Sequence, residues 1–160
     1  MPLTYTIGSL TEQYTPSWVE KRAQICFSFF IILMASLCIG PSELLSFPNS
    51  LILMGFGHAI GGFFLAQAGQ PALIEMINVG KARYPEWEEL TSAMSAAAYN
   101  SMMGISYLVA PIYGTGVEKV IGFRMTMDSL AFIDLIFLII YLTVGKGYAG
   151  FGQMFRNLLV

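Results

Sequence analysis

Four apolar runs separated by short polar stretches organise this chain, and each is long enough for a helix that crosses a bilayer. A helix rises about 1.5 Å per residue, so about 20 mostly apolar residues bridge the hydrocarbon core. The first run, Ala23 to Gly40, holds no charged side chain and is rich in Phe, Ile and Leu. The second extends from Leu51 to Gly69, with its helix expected to continue through Pro71 to Asn78. The third, Ala93 to Gly114, is built largely from Ala, Ser, Gly and Met, and the fourth, Met125 to Val144, is continuous except for Asp134. Period-two alternation is absent, and backbone groups in lipid must be paired within each segment, so these runs read as helices. The expected fold is all-α: a four-helix transmembrane domain over residues 23–145, after a polar segment 1–22 and before a tail 146–160.

Composition agrees. The chain has 160 residues, 56% hydrophobic and 11% charged, and a mean hydropathy of +0.65. Soluble domains carry about 25% charged residues, so a water-exposed surface would be hard to assemble here. The net charge of −2 is unclustered, which excludes a nucleic-acid stripe and an acidic tail. Cys26 and Cys38 lie inside the first run and read as small packing residues. Residues 1 to 20 show neither a secretory nor a transit-peptide pattern, so the first apolar helix is expected to act as the insertion signal.

Basic residues resist transfer across the bilayer and so report orientation. Lys21, Arg22, Lys81, Arg83, Lys146 and Arg156 fall on one side of the four runs, and Lys119 and Arg124 on the other. This places both termini in the cytoplasm, or in the matrix of an organelle with an inner membrane. Trp18, Tyr84, Trp87 and Tyr148 stand at run ends on that side, as interfacial aromatics do. The stretch Lys81 to Leu90 reads as a surface turn in which Pro85 starts a short helix and Glu86, Glu88 and Glu89 suit its first turn.

Several local features occur in a suggestive order. Gly40-Pro41-Ser42 ends the first run and Glu43-Leu44-Leu45 follows. The second run carries Gly55, Gly57, Gly61 and Gly62, then Pro71 and Leu73-Ile74-Glu75-Met76. The third holds Tyr99-Asn100, Gly104 and Ala110-Pro111-Ile112-Tyr113-Gly114, and Gly122-Phe123-Arg124 leads into the fourth. This order resembles the C-terminal part, helices nine to twelve, of drug- and amine-type transporters of the major facilitator superfamily. The resemblance covers nearly the whole chain and implies a fragment of that fold, with residues 8–22 corresponding to the loop before the ninth helix. The proline run near the outer end of the third span has two fewer glycines than the family's run, so the antiport role associated with it does not carry over. The fold's alternating access requires two six-helix halves, which four helices cannot supply.

Several residues are candidates for chemistry. His58, inside the second span, is either a proton relay or substrate contact, or a neutral imidazole bonded to a neighbouring helix. Glu75 is expected to pair locally with Lys81 or Arg83. Asp134 is costly at a helix centre, by at least about 2.5 kcal/mol, and needs a partner such as His58, Tyr99 or Asn100, or another protein. Asp128 can pair with Arg124 at i, i+4 spacing. Gly57 and Gly61, and likewise Ala93, Ala97 and Ser101, form small-residue steps that admit a close helix; Gly40, Pro41, Gly104, Pro111 and Gly114 are expected packing or hinge positions, with Pro111 bending its helix. The ten methionines read as adaptable packing. No cofactor, metal or enzymatic constellation is expected. The expected function is a transporter-derived structural or accessory subunit of a larger membrane complex, with lipid and other membrane proteins as partners and no nucleic acid. The alternative is a working part of a proton-coupled secondary transporter, for which alone a small-molecule substrate is implied.

Overall fold

A computed structural model describes residues 2–16, 19–145, 149, 150, 152 and 156. Trp18, Lys146 and Tyr148, and most of the tail, lie outside these residues. All regular structure among the described residues is helical: α1 (Pro2–Glu12), α2 (Lys21–Ile39), α3 (Leu51–Arg83), a 3-10 turn (Pro85–Trp87) and α4 (Glu88–Thr143). By length and composition, α2, α3 and the stretch from Pro85 to Thr143 are able to cross a membrane. The last of these contains both the third and the fourth expected spans.

α4 is two helical arms joined at Gly122, where φ is 81° and ψ 164°. Only glycine adopts such angles without strain. The arms turn back on each other, since Tyr113 Oη lies 3.0 Å from Ser129 Oγ across the joint. The backbone departs from helical angles there, while Pro111 lies inside the first arm. The first arm also runs on beyond Gly114, the expected end of the third span.

α2 is the centre of the assembly, with α3 on one side and the second arm of α4 on the other. Its apolar residues Ala23, Ile25, Cys26, Leu33, Ala35 and Ile39 are buried. Glycines set the approach on both sides. A Cβ at Gly57 would stand 2.8 Å from Ile39 N and 2.9 Å from Ala35 O, and one at Gly40 would collide with the Met127 side chain. Gly61 and Gly62 are buried on the α3 side as well. With lipid outside being as apolar as the helix surface, close backbone contact of this kind is what holds membrane helices together.

The loops follow from local chemistry. Lys81 and Arg83 occupy the last turn of α3 and Glu88 and Glu89 the first turn of α4, each suited to the helix dipole it meets. Pro85 opens the 3-10 turn between them, as its fixed φ favours. Tyr84 and Trp87 are exposed at this end.

Because the atoms facing Gly57 are backbone and cannot move aside, Gly57→Leu is expected to lower unfolding stability in detergent by about 1–3 kcal/mol. Gly55→Leu, at a site where a Cβ meets nothing within 4 Å, is expected to leave it unchanged. Thermal unfolding of the two variants side by side checks this, and equal melting temperatures would refute the close approach.

Candidate functional site

The polar groups of this apolar chain collect in three places: the two ends of α2 and the level of Gln67 in α3. At the start of α2, Lys21 and Arg22 sit where the helix dipole disfavours cations. Both are answered by carboxylates from other elements. Lys21 Nζ donates to Glu12 Oε1 at 2.7 Å and Arg22 Nε to Glu75 Oε1 at 2.6 Å. Glu75 therefore pairs across to α2 and not with Lys81 or Arg83. Lys81 lies six residues on, well round the helix, and is 3.5 Å from Glu88 instead; Arg83 is two turns away, beyond easy reach.

At the other end of α2, the loop after Gly40 is gripped by the second arm of α4. Arg124 Nε donates to Pro41 O at 2.6 Å, and its Nη2 to Phe47 O at 3.1 Å and to Ser42 O at 3.4 Å. Asp128 Oδ2 accepts the Glu43 backbone N–H at 3.1 Å. The i, i+4 spacing that suggested an Arg124–Asp128 pair instead sets both side chains against one loop. Pro41 and Ser42 are fully buried there. Carbonyls left over at a helix end need donors, and Arg124 supplies them.

Asp134 meets α2 as well. Ser36 Oγ donates to its Oδ2 at 3.3 Å, so the partner is neither His58 nor Tyr99 nor Asn100. The second arm packs along α2 with residue 134 level with residue 36, whereas Tyr99 and Asn100 stand beside Gly69, towards the opposite end of α3. His58 uses its own helix: Nδ1 is 3.0 Å from Met54 O, one turn back. Among the described residues the imidazole bonds no neighbouring helix, in place of the cross-helix bond that was one of the two expectations for it.

The third cluster was not anticipated. Gln67, buried in α3, donates to Gly8 O at 2.8 Å and to Thr11 Oγ1 at 3.1 Å, and accepts from Gln24 Nε2 at 2.7 Å. Gln70 Nε2 donates to Ser9 Oγ at 3.2 Å. One amide thus ties α1, α2 and α3. The signal was present in the sequence as glutamines inside apolar runs, since a buried amide requires partners.

Beside this cluster a groove of about 440 Å³ opens between α1, α3 and α4, lined by Tyr5, Gln70, Tyr99, Asn100, Gly104 and Tyr107 among others. Of the expected residues it gathers Asn100 and Gly104, and leaves His58, Glu75 and Asp134 elsewhere. Gly104 and Gly114 face open space, with nothing inside the chain within 4 Å of an added Cβ; the close neighbours expected of them are not supplied by the described residues. Among those residues no three metal-ligating side chains come together. No family model, curated protein or solved structure matches the chain.

Replacing Arg124 by Met keeps much of its apolar stem and removes its donors to Pro41, Ser42 and Phe47. Charge-assisted bonds contribute about 1.5–3 kcal/mol each when buried, less when partly exposed, so a loss of about 2 kcal/mol is expected in chemical unfolding. Arg124→Lys, which lacks the planar fork, is expected to recover only part of it. A Met variant as stable as wild type would show that the loop holds without the clamp.

Proposed function

We propose that this chain is a non-catalytic structural or accessory subunit of a larger membrane complex, crossing the bilayer four times with both termini on the cytoplasmic or matrix side. The two arms of α4 supply the third and fourth crossings, hinged at Gly122. Descent from the C-terminal part of a major facilitator transporter belongs to the proposal and draws its support from the resemblance of residues alone.

One observation carries the subunit reading: the first arm of α4 is covered by little of its own chain beyond its opening turns. Met102, Ile105, Leu108 and Ile112 are exposed, as lipid alone would permit. Mixed with them are Gly104, Gly114 and Gly116, each open to a close neighbour. Asn100 is exposed beside them and makes no side-chain hydrogen bond among the described residues. An amide and a set of open glycines suit a protein helix better than acyl chains, because small residues gain little from lipid and amides gain nothing. The ion pairs and amide ties of the rest of the chain spend its polar groups on its own cohesion.

Gly114→Leu separates the possibilities, since its side chain meets nothing within the chain. The variant is expected to melt at the wild-type temperature in detergent while losing fixed-stoichiometry co-migration with other membrane proteins after gentle extraction and native electrophoresis. A wild-type chain that migrates as a free monomer, or a variant that assembles as well as wild type, would remove the subunit reading.

A further inference from the structure

We infer that α1, although it belongs to the polar N-terminal segment, is embedded in the bilayer without crossing it, with its outer face against lipid acyl chains. The inference rests on the membrane reading of α2, α3 and α4 and adds a fifth, non-spanning element to it.

Two independent observations lead there. The first is polarity. Leu3, Ile7 and Leu10 fall at successive spacings of four and three, which puts them along one face of α1, and they are 74%, 45% and 55% exposed. The groups that bond to the protein point the other way: Gly8 O and Thr11 Oγ1 towards Gln67, and Ser9 Oγ towards Gln70. A helix lying on a protein in water shows the reverse arrangement, apolar inwards and polar outwards. Thr6, on the outer side, donates its hydroxyl back to Pro2 O at 3.0 Å. Exposed Ser106, Thr115 and Thr143 in α4 do the same to carbonyls four residues back, a pairing that satisfies a hydroxyl where water is absent.

The second observation is depth. α1 lies across α3, from the α4 side, where Tyr5 lines the groove with Tyr99, to the α2 side, where Glu12 pairs with Lys21. Its hydrogen bonds to α3 and its closest backbone approach fall between Phe63 and Gln70. These lie five to twelve residues on the apolar side of the Arg22–Glu75 pair, about 8–18 Å inward at 1.5 Å per residue. Gly8 lets the helix approach: a Cβ there would stand 2.5 Å from Phe63 O. Glu12, the only charged side chain of α1, is at its end and buried against Lys21. A helix at that depth, with no charge on its outer face, has acyl chains as its neighbours.

Site-directed spin labelling in phosphatidylcholine vesicles tests this with the full chain, Cys26 and Cys38 being replaced by Ala. Single labels are placed at Leu10→Cys in α1, Phe132→Cys on the exposed side of the second arm of α4 and Glu86→Cys in the 85–87 turn. Relaxation by oxygen, which concentrates in lipid, is compared with relaxation by a water-soluble nickel chelate. The Leu10 label is expected to match the Phe132 label, with oxygen favoured severalfold over nickel, and to differ from the Glu86 label. A Leu10 label that behaves like Glu86 while Phe132 stays in lipid overturns the inference and leaves the membrane reading standing. Nickel access at Phe132 too would overturn both. Adding Gln67→Leu, with Phe132 reporting that the fold is intact, is expected to raise the mobility of the Leu10 label; unchanged mobility would contradict the docking of α1 through that amide.

Discussion

Pairing of polar side chains between helices, in surroundings that offer no water, is the constraint on which the rest of this structure depends. Helices satisfy their own backbone, and several of the side chains that break the apolar runs are answered by a neighbouring element. Gln67 reaches α1 and α2, Ser36 bonds Asp134, and Arg22 and Lys21 find Glu75 and Glu12. Each bond joins two elements, so the polar groups that look like flaws in an apolar span are also what specifies which helices meet and at what level. The glycines at positions 40 and 57 then allow the distances that these bonds require.

The result is an uneven molecule. α2 is the most covered of the long helices, held at its start by two carboxylates and at its end by Arg124 acting on the loop that follows. The first arm of α4 has almost no such ties beyond the groove it shares with Tyr5 and Gln70. Cross-helix bonds are thereby concentrated on α1, α2, α3 and the second arm of α4 and are sparse on the first arm. The subunit reading follows from this asymmetry, and the docking of α1 extends it: a segment with too few apolar residues to cross the bilayer still turns its apolar stripe outward.

Much of this was legible from the residues. Runs of apolar length marked α2 and α3 within a few positions, and Pro85 marked the turn before α4. Two features were hidden for physical reasons. The break at Gly122 is hidden because a glycine that reverses direction between two helices looks in sequence like any loop glycine. α1 was missed because a search for about 20 apolar residues passes over a stripe of Leu3, Ile7 and Leu10 spread among threonines and serines. Partners were hardest to read. Asp134, Glu75 and His58 were recognised as needing them, but which groups answer depends on the register between helices, and that is fixed by packing at Gly57 and Gly40 and not by spacing along the chain.

The central claim is that the two polar ends of α2 lie on opposite faces of a bilayer. It is tested most directly by labelling in sealed vesicles with a membrane-impermeant maleimide. Single cysteines would be placed at Ser46, in the loop gripped by Arg124, and at Arg83, beside the Arg22–Glu75 end, again in a chain lacking Cys26 and Cys38. Labelling of one position from outside, with the other reached only after the vesicles are opened, is the expected result. Equal labelling of both from the same side of intact vesicles would contradict it.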